Sequence, residues 1–255
     1  MKATDDAQHR GPATIPWLRA ELLEGRMETR TARSLVFDVP GWAGHHAGQH
    51  VDVKLTSEDG YSAQRSYSIA SASASGQLEL TVQVVSHGEL SPYLVEVMSP
   101  GDELELRGPI GGWFRWTEEF TEPVLLVGGG SGIVPLMAIL RERIRTGSTA
   151  PVHFICVART PDHVFYTNEL HSVDQSHADV LVDRLYTRSG LADDARAAGR
   201  LNLHDLPPPS SGDTGITRAY VCGPTGFVES AADLLLGRGH PPTAIRTERF
   251  GPTGG

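Results

Sequence analysis

Val124-Leu125-Leu126-Val127, then Gly128-Gly129-Gly130-Ser131-Gly132, then Ile133-Val134-Pro135-Leu136 is the stretch that decides the fold. A short apolar run bounded by glycines reads as a buried strand. The apolar residues that follow as far as Arg145 read as a helix. Strand, glycine turn and helix in that order open a parallel βαβ unit, with the helix N-terminus aimed outward. Glycine lacks Cβ, so the backbone of such a turn can approach a pyrophosphate closely. The usual third glycine of the dinucleotide fingerprint is absent, and Pro135 stands there.

Downstream the same alternation repeats. Apolar strands at Val152 to Ala158, Asp179 to Tyr186 and Ala219 to Cys222 alternate with helical patterns at Thr167 to Gln175 and Phe227 to Arg238, as in a parallel sheet covered by helices. Pro207-Pro208-Pro209-Ser210-Ser211-Gly212 reads as a loop. Upstream, from Trp17 to Arg107, the chain reads as all-β. Short runs with apolar alternation fall at Ser34 to Val39, His50 to Leu55, Arg65 to Ala70, Leu78 to Val85 and Glu103 to Arg107. That spacing suggests an antiparallel barrel. A short helix from Ser91 to Met98 interrupts it, with Ser91 as cap and Pro92 at the first helical position. The expected plan is a leader at 1–15, a barrel domain at 16–117 and an α/β domain at 118–255, with Glu118, Glu119 and Glu122 flanking the hinge.

Composition narrows the classes. A charged fraction of 21% and a hydrophobic fraction of 39% fit a globular protein, and no apolar run approaches the roughly 20 residues of a membrane helix. No export signal is visible, so a cytoplasmic protein is expected. The formal charge of −9 argues against nonspecific nucleic-acid binding. Two cysteines, Cys156 and Cys222, are too few for a four-cysteine cluster. Among eleven histidines, the densest group, His45-His46 and His50, has no metal-ligand spacing. Redox chemistry would therefore need an organic cofactor.

Arg65-Ser66-Tyr67-Ser68 reads either as a solvated edge strand or as a binding strand for such a cofactor. Side chains two apart on a strand share a face, so Arg65 and Tyr67 project together. A guanidinium beside a phenol suits a ligand with a phosphate and a flat ring. Strict alternation puts Ser68 on the other face. Gly88-Glu89-Leu90-Ser91 is a turn entering a short helix, either an ordinary capped start or an anion site. Cys222-Gly223-Pro224 places a thiol at the carboxyl edge of the parallel sheet, as a ligand-facing group or a buried structural cysteine. Arg159, Thr187-Arg188 and Arg200 follow successive strands, either as surface charges or as partners for a nucleotide 2′-phosphate.

Together, Arg65-Ser66-Tyr67-Ser68-Ile69-Ala70-Ser71, Gly88-x-x-Ser91, the glycine turn with Pro135, and Cys222-Gly223-Pro224 resemble, in order, the motifs of the ferredoxin–NADP reductase superfamily. The resemblance implies that Arg65 meets a flavin phosphate, Tyr67 stacks on the isoalloxazine and Ser68 lies near flavin N5. Ser66, Gly88 and Ser91 complete the flavin site, with FAD preferred to FMN. It implies that Gly128, Gly130, Ser131 and Gly132 cradle the nicotinamide dinucleotide, and that Cys222, Gly223 and Pro224 border its ring. Glu248 and Phe250 would close over the flavin, although the segment from Arg246 to Gly255 reads equally as a flexible tail. Ser68, Cys222 and Glu248 are the candidate catalytic groups. NADPH is expected ahead of NADH on the three arginines.

The implied activity is hydride transfer from NADPH to FAD, with electrons passing to a separate carrier such as a ferredoxin or flavodoxin that feeds an oxygenase. The expectation of a separate acceptor rests on there being no room in 255 residues for a ferredoxin or globin domain. A free flavin, ferric chelate or quinone acceptor is the enzymatic alternative, and a flavin-bearing regulatory subunit the non-enzymatic one.

Overall fold

The computed structural model describes residues 15–57, 59–73, 77–194, 196–210 and 217–251. Most of the expected leader, the loop residues Ser211 and Gly212, and the last four residues lie outside them.

Six strands form the first sheet: β1 (Leu18–Thr29), β2 (Ala32–Asp38), β3 (His50–Thr56), β4 (Ser62–Ser68), β5 (Leu78–Gln83) and β6 (Glu103–Ile110), in the order β4-β3-β6-β1-β2-β5. All of its pairings are antiparallel. Outer strands β4 and β5 meet where Ile69 bridges Leu80 and the Ala70 N–H donates to the Glu79 carbonyl at 2.8 Å, which closes the sheet into a barrel. Inward residues Leu22, Leu35, Phe37, Val51, Val53, Leu80 and Leu106 fill it. Between β5 and β6 lies α1 (Leu90–Pro92), which continues as a π-wound turn, Tyr93–Val97.

The second sheet is parallel and five-stranded: β7 (Val124–Gly129), β8 (Val152–Ala158), β9 (Val180–Tyr186), β10 (Arg218–Pro224) and β11 (Ile245–Phe250), in the order β11-β10-β7-β8-β9. Helices α2 (Ile133–Arg145) and α3 (Thr167–Ser176) cover one face and α4 (Thr225–Gly237) the other. Alternation along β7 produces this arrangement. Val124 and Leu126 pack toward α2, and Leu125 and Val127 toward α4. The chain crosses from one side of β7 to the other between β9 and β10, so the carboxyl ends of β7 and β10 form the switch-point crevice where such sheets bind ligands. Barrel residues Ala32, Ala47 and Ala70 join the core on the α2 face, which makes the two sheets one packed unit there.

Several expectations change. Ser91 does not cap its helix. It is buried inside the first turn, and its Oγ accepts the Val85 N–H at 3.0 Å. The flavin-motif strand begins earlier than Arg65 and ends at Ser68. The segment around Glu248 is not a tail, because Ile245–Phe250 pairs in parallel with β10. No helix among the described residues is long and apolar enough to cross a membrane.

Candidate active site

Arg65 is exposed on β4, its Nη2 3.5 Å from Glu89 Oε2, and is accessible to a second anion. Glu89 also accepts the Tyr61 hydroxyl at 2.6 Å. Tyr67 leans on the barrel core, and burial raises its phenol to about 12, which keeps the ring neutral. Ser66 is committed elsewhere. Its hydroxyl donates to Asp52 at 2.6 Å, and Asp52 is held by Arg107 at 3.0 Å, leaving Ser66 only its backbone for a ligand. Gly88 lies in the turn before α1, where its N–H donates to the Val85 carbonyl.

Ser68 ends β4 and differs from its neighbours. It is buried, and its Oγ has no hydrogen-bond partner. Buried hydroxyls normally find partners, so an unpaired one at a strand end marks a place for a polar ligand. Across the ladder Ser68 faces His50 of β3. His50 Nδ1 in turn stands 3.7 Å from Glu248 Oε1, a separation too long for a hydrogen bond. Glu248 Oε2 is buried without a partner. Burial raises the Glu248 carboxyl to about 7 and lowers the His50 imidazole, the latter partly offset by Asp52. Both shifts favour the neutral forms.

On the ladder Glu248 pairs with Cys222, and Cys222 with Gly128 of β7. One row therefore runs from the glycine turn through the thiol to the carboxylate. The Cys222 thiol is fully buried and held well above its ordinary pKa, by burial first and by Glu248 second, which makes it a poor nucleophile. Gly132 is required sterically, because a Cβ there would strike the Cys222 carbonyl. Gly130 is required conformationally, at φ +56°, with open space where its Cβ would point. Gly129 and Gly223 flank the Phe227 ring, which would lie 2.7 and 2.8 Å from Cβ atoms built there. Ser131 sits in the 3-10 turn Gly130–Gly132 that leads into α2. Pro224 pairs with Phe250 at the end of the same ladder, and Phe250 packs against the core.

At the far end of the sheet, the Arg188 N–H donates to the Arg159 carbonyl at 3.0 Å and the Thr187 N–H to Ala158 at 2.9 Å, setting the two arginines side by side. The Gly199 N–H donates to Tyr186, which brings Arg200 alongside. All three arginines are exposed, and none forms an ion pair among the described residues. These groups lie at strand ends β8 and β9, apart from the cluster of Ser68, His50, Cys222 and Glu248.

The orphaned Ser68 and Glu248 oxygens and the open Gly130 turn fit a flat, hydrogen-bonding ring met by a dinucleotide. His50 is the member of this cluster that sequence reasoning set aside. Its position opening the run before Val51 was the available signal.

Residues 20–115 match the oxidoreductase FAD-binding domain family, and residues 126–233 the oxidoreductase NAD-binding domain family. The chain is 31% identical over 209 residues to the propane 2-monooxygenase reductase component of Rhodococcus jostii, covering 80% of this chain and 55% of that protein. It is 30% identical over 209 residues to the ferredoxin–NAD(P)+ reductase component of the naphthalene 1,2-dioxygenase/salicylate 5-hydroxylase systems of Ralstonia sp., covering 81% and 61%. The chain thus spans little more than half the length of these curated relatives. Among solved structures, the Amycolatopsis cytochrome P450 reductase GcoB superposes with a TM-score of 0.80 at 25% identity, over 98% of this chain and 74% of that one. The FAD/NAD-binding domain of the Vibrio cholerae nitric oxide dioxygenase superposes at 0.81 and 23%, over 92% and 99%.

Proposed function

The chain belongs to the ferredoxin–NADP reductase superfamily, with an FAD-binding and an NAD-binding domain, and from that premise we propose that it carries electrons from NADPH through FAD to a separate carrier protein serving an oxygenase. The observation that supports this reading is the approach of the two sheets at His50, which pairs with Ser68 on the barrel ladder and stands 3.7 Å from Glu248 beside the Cys222 row, with a buried oxygen of Ser68 and one of Glu248 each lacking a partner. When bound, the cofactors supply the redox step, with the nicotinamide as hydride donor and the flavin as acceptor. The protein's share is alignment and exclusion of water.

Each residue has a distinct task. Arg65 offers a guanidinium to a flavin phosphate, and Tyr67 a neutral ring face for stacking. The Ser68 hydroxyl is free to pair with a ring nitrogen. Gly130, Ser131 and Gly132 present a helix start to the nicotinamide pyrophosphate. Cys222 and Glu248 line the place where the nicotinamide ring meets the flavin. With its carboxyl near 7, Glu248 can hold or release a proton at Oε2 under physiological conditions. Arg159 and Arg188, with Thr187 between strands and Arg200 nearby, supply cations for a 2′-phosphate, and this favours NADPH over NADH.

The carrier follows from chemistry and from relatives. The thiols of this sequence are Cys156 and Cys222, both buried in strands and too few for a four-cysteine cluster. The acceptor we propose lies outside this sequence, and what supports that is that the relatives named above are reductase components of oxygenase systems. The deciding experiment is anaerobic, NADPH-driven reduction of a [2Fe–2S] ferredoxin and of a flavodoxin, run beside free flavin, a ferric chelate and a quinone. Faster turnover with a carrier protein supports the proposal. Faster turnover with a small acceptor replaces it with the small-molecule reductase reading, and cofactor binding without turnover replaces it with a binding subunit.

A further inference from the structure

Away from the cluster just described, one guanidinium binds both halves of the molecule. Arg141 lies on α2, the helix that starts at the glycine turn, about 13 Å along its axis from Gly132. Its Nε and Nη2 grip both oxygens of Glu169 on α3, at 2.7 and 2.6 Å. Its Nη1 crosses to the barrel, donating to the Ala70 carbonyl at 2.9 Å and standing 3.1 Å from Glu79 of β5. The Tyr166 ring lies beneath it, 5.0 Å from centroid to guanidinium carbon.

Ala70 follows Ser68 by two residues, in a segment with little freedom. Ile69 N–H donates to Gln49, Ala70 N–H to Glu79, and the Ser71 hydroxyl accepts the Glu79 N–H. A displacement of Arg141 is therefore a displacement of the Ser68 end of β4. Tyr166 adds a parallel tie. It is held in the left-handed region at φ 57°, donates its hydroxyl to Thr81 at 2.5 Å and its N–H to Glu28 at 2.9 Å. Glu142, next to Arg141, accepts the Ser73 N–H at 2.9 Å. Arg141, Glu79, Glu28, Tyr166 and Glu169 line an interdomain cleft of about 400 Å³, where these polar ties act beside the packing of Ala32, Ala47 and Ala70 on the α2 face.

We infer that Arg141 is a positioning residue that fixes the flavin-strand end at Ser68 relative to the nicotinamide helix α2, and so sets the alignment for hydride transfer. The inference rests on the proposed function. Arg suits the task because its planar fork meets a bidentate carboxylate and two further acceptors at once, whereas a lysine ammonium cannot.

The test uses the FAD-loaded protein in wild-type, Arg141→Met, Arg141→Lys and Glu169→Gln forms. Stopped-flow reduction by saturating NADPH is expected to slow about 10²-fold in Arg141→Met, the effect of a misplacement near 1 Å. FAD content is expected to be retained, NADPH affinity to change less than about threefold, and the flavin–nicotinamide charge-transfer absorbance to weaken. Lysine is expected to recover only part of the rate, and Glu169→Gln, which keeps the Ala70 and Glu79 ties, to lose less than Arg141→Met. Independently of turnover, amide exchange across residues 69–73 is expected to accelerate about tenfold or more in Arg141→Met. Unchanged exchange, or an unchanged reduction rate in a protein that holds FAD, overturns the inference. If wild-type flavin is not reduced at all, the proposed function falls instead, and the exchange measurement alone decides the strut.

Discussion

Replacing Glu248 with Gln should make the protein more stable and a worse catalyst, and the pH at which stability is measured should control how much. The carboxyl is raised by burial from 4.5 to about 7, and its side chain is only 20% exposed. Between those two pH values the folded protein holds a proton that the unfolded chain has released. Stability therefore falls as pH rises from about 4.5 to 7 and levels off above, where both states are ionised. The full span amounts to about 3 kcal/mol, and the part between pH 5 and pH 8 to about 2.5 kcal/mol. Glutamine has no such dependence. His50, whose imidazole is lowered by burial, titrates in both proteins and is common to the comparison. Urea denaturation of both forms at pH 5 and pH 8 reads the double difference, which removes any pH-independent effect of the substitution. The variant is expected to gain about 2–3 kcal/mol at pH 8 relative to its standing at pH 5. Flavin reduction by NADPH at pH 7 is expected to slow about 10²-fold, the lower end of what a positioned proton donor contributes. A double difference of zero, or one favouring wild type at pH 8, would refute the argument and mean that water reaches the carboxylate.

Further outcomes follow from the same geometry. Arg65→Ala should weaken FAD binding about tenfold or more, since a charge-assisted hydrogen bond is worth about 1.5–3 kcal/mol; fluorescence titration of flavin-free protein checks it. Arg188→Ala and Arg159→Ala should each raise the KM for NADPH by about tenfold or more while leaving that for NADH unchanged; equal effects on both would place these arginines away from the 2′-phosphate. Gly132→Ala pushes a methyl group against the Cys222 backbone and should cost about 1–3 kcal/mol, visible as a lower Tm with weakened nicotinamide affinity. Cys222, buried with its thiol held far above its ordinary range, should resist alkylation at pH 8 until the protein unfolds.

The parts of the fold legible in the sequence are those with strong local periodicity. The run Val124–Gly129 could be read because it is apolar on both sides, as a central parallel strand must be. Two strands were not singled out, for different reasons. In β1, register shifts between Leu22 and Glu24 and between Met27 and Thr29 break the period of two, and exposed Glu24 and Arg26 hide the pattern. In β11, Ile-Arg-Thr-Glu-Arg-Phe is an edge strand with no fully buried residue, so hydrophobicity carries no signal. Ser91 looked like a helix cap because Ser-Pro is a common start; the long-range demand of the Val85 N–H placed it inside instead.

The candidate site divides in the same way. Glycines and the Cys222-Gly223-Pro224 turn were visible as local chemistry. The approach of His50 to Glu248 joins residues almost two hundred positions apart, and that of Arg141 to Ala70 joins two domains. No local pattern encodes either. The sequence places His50 at the start of a strand, as β3 bears out, but groups it with His45 and His46 only as histidines without metal-ligand spacing; in the fold the His45 ring nitrogen pairs with the Ser71 carbonyl, while His50 approaches Glu248.

The most direct test of the central claim is an anaerobic titration of the FAD-loaded protein with NADPH, and separately with NADH, following the visible flavin absorbance. Stoichiometric bleaching by NADPH at low concentration, with NADH needed in large excess, is the predicted result. Retention of FAD with no bleaching by either nucleotide would contradict the account, because Ser68, Cys222 and Glu248 would then bring no donor to the flavin.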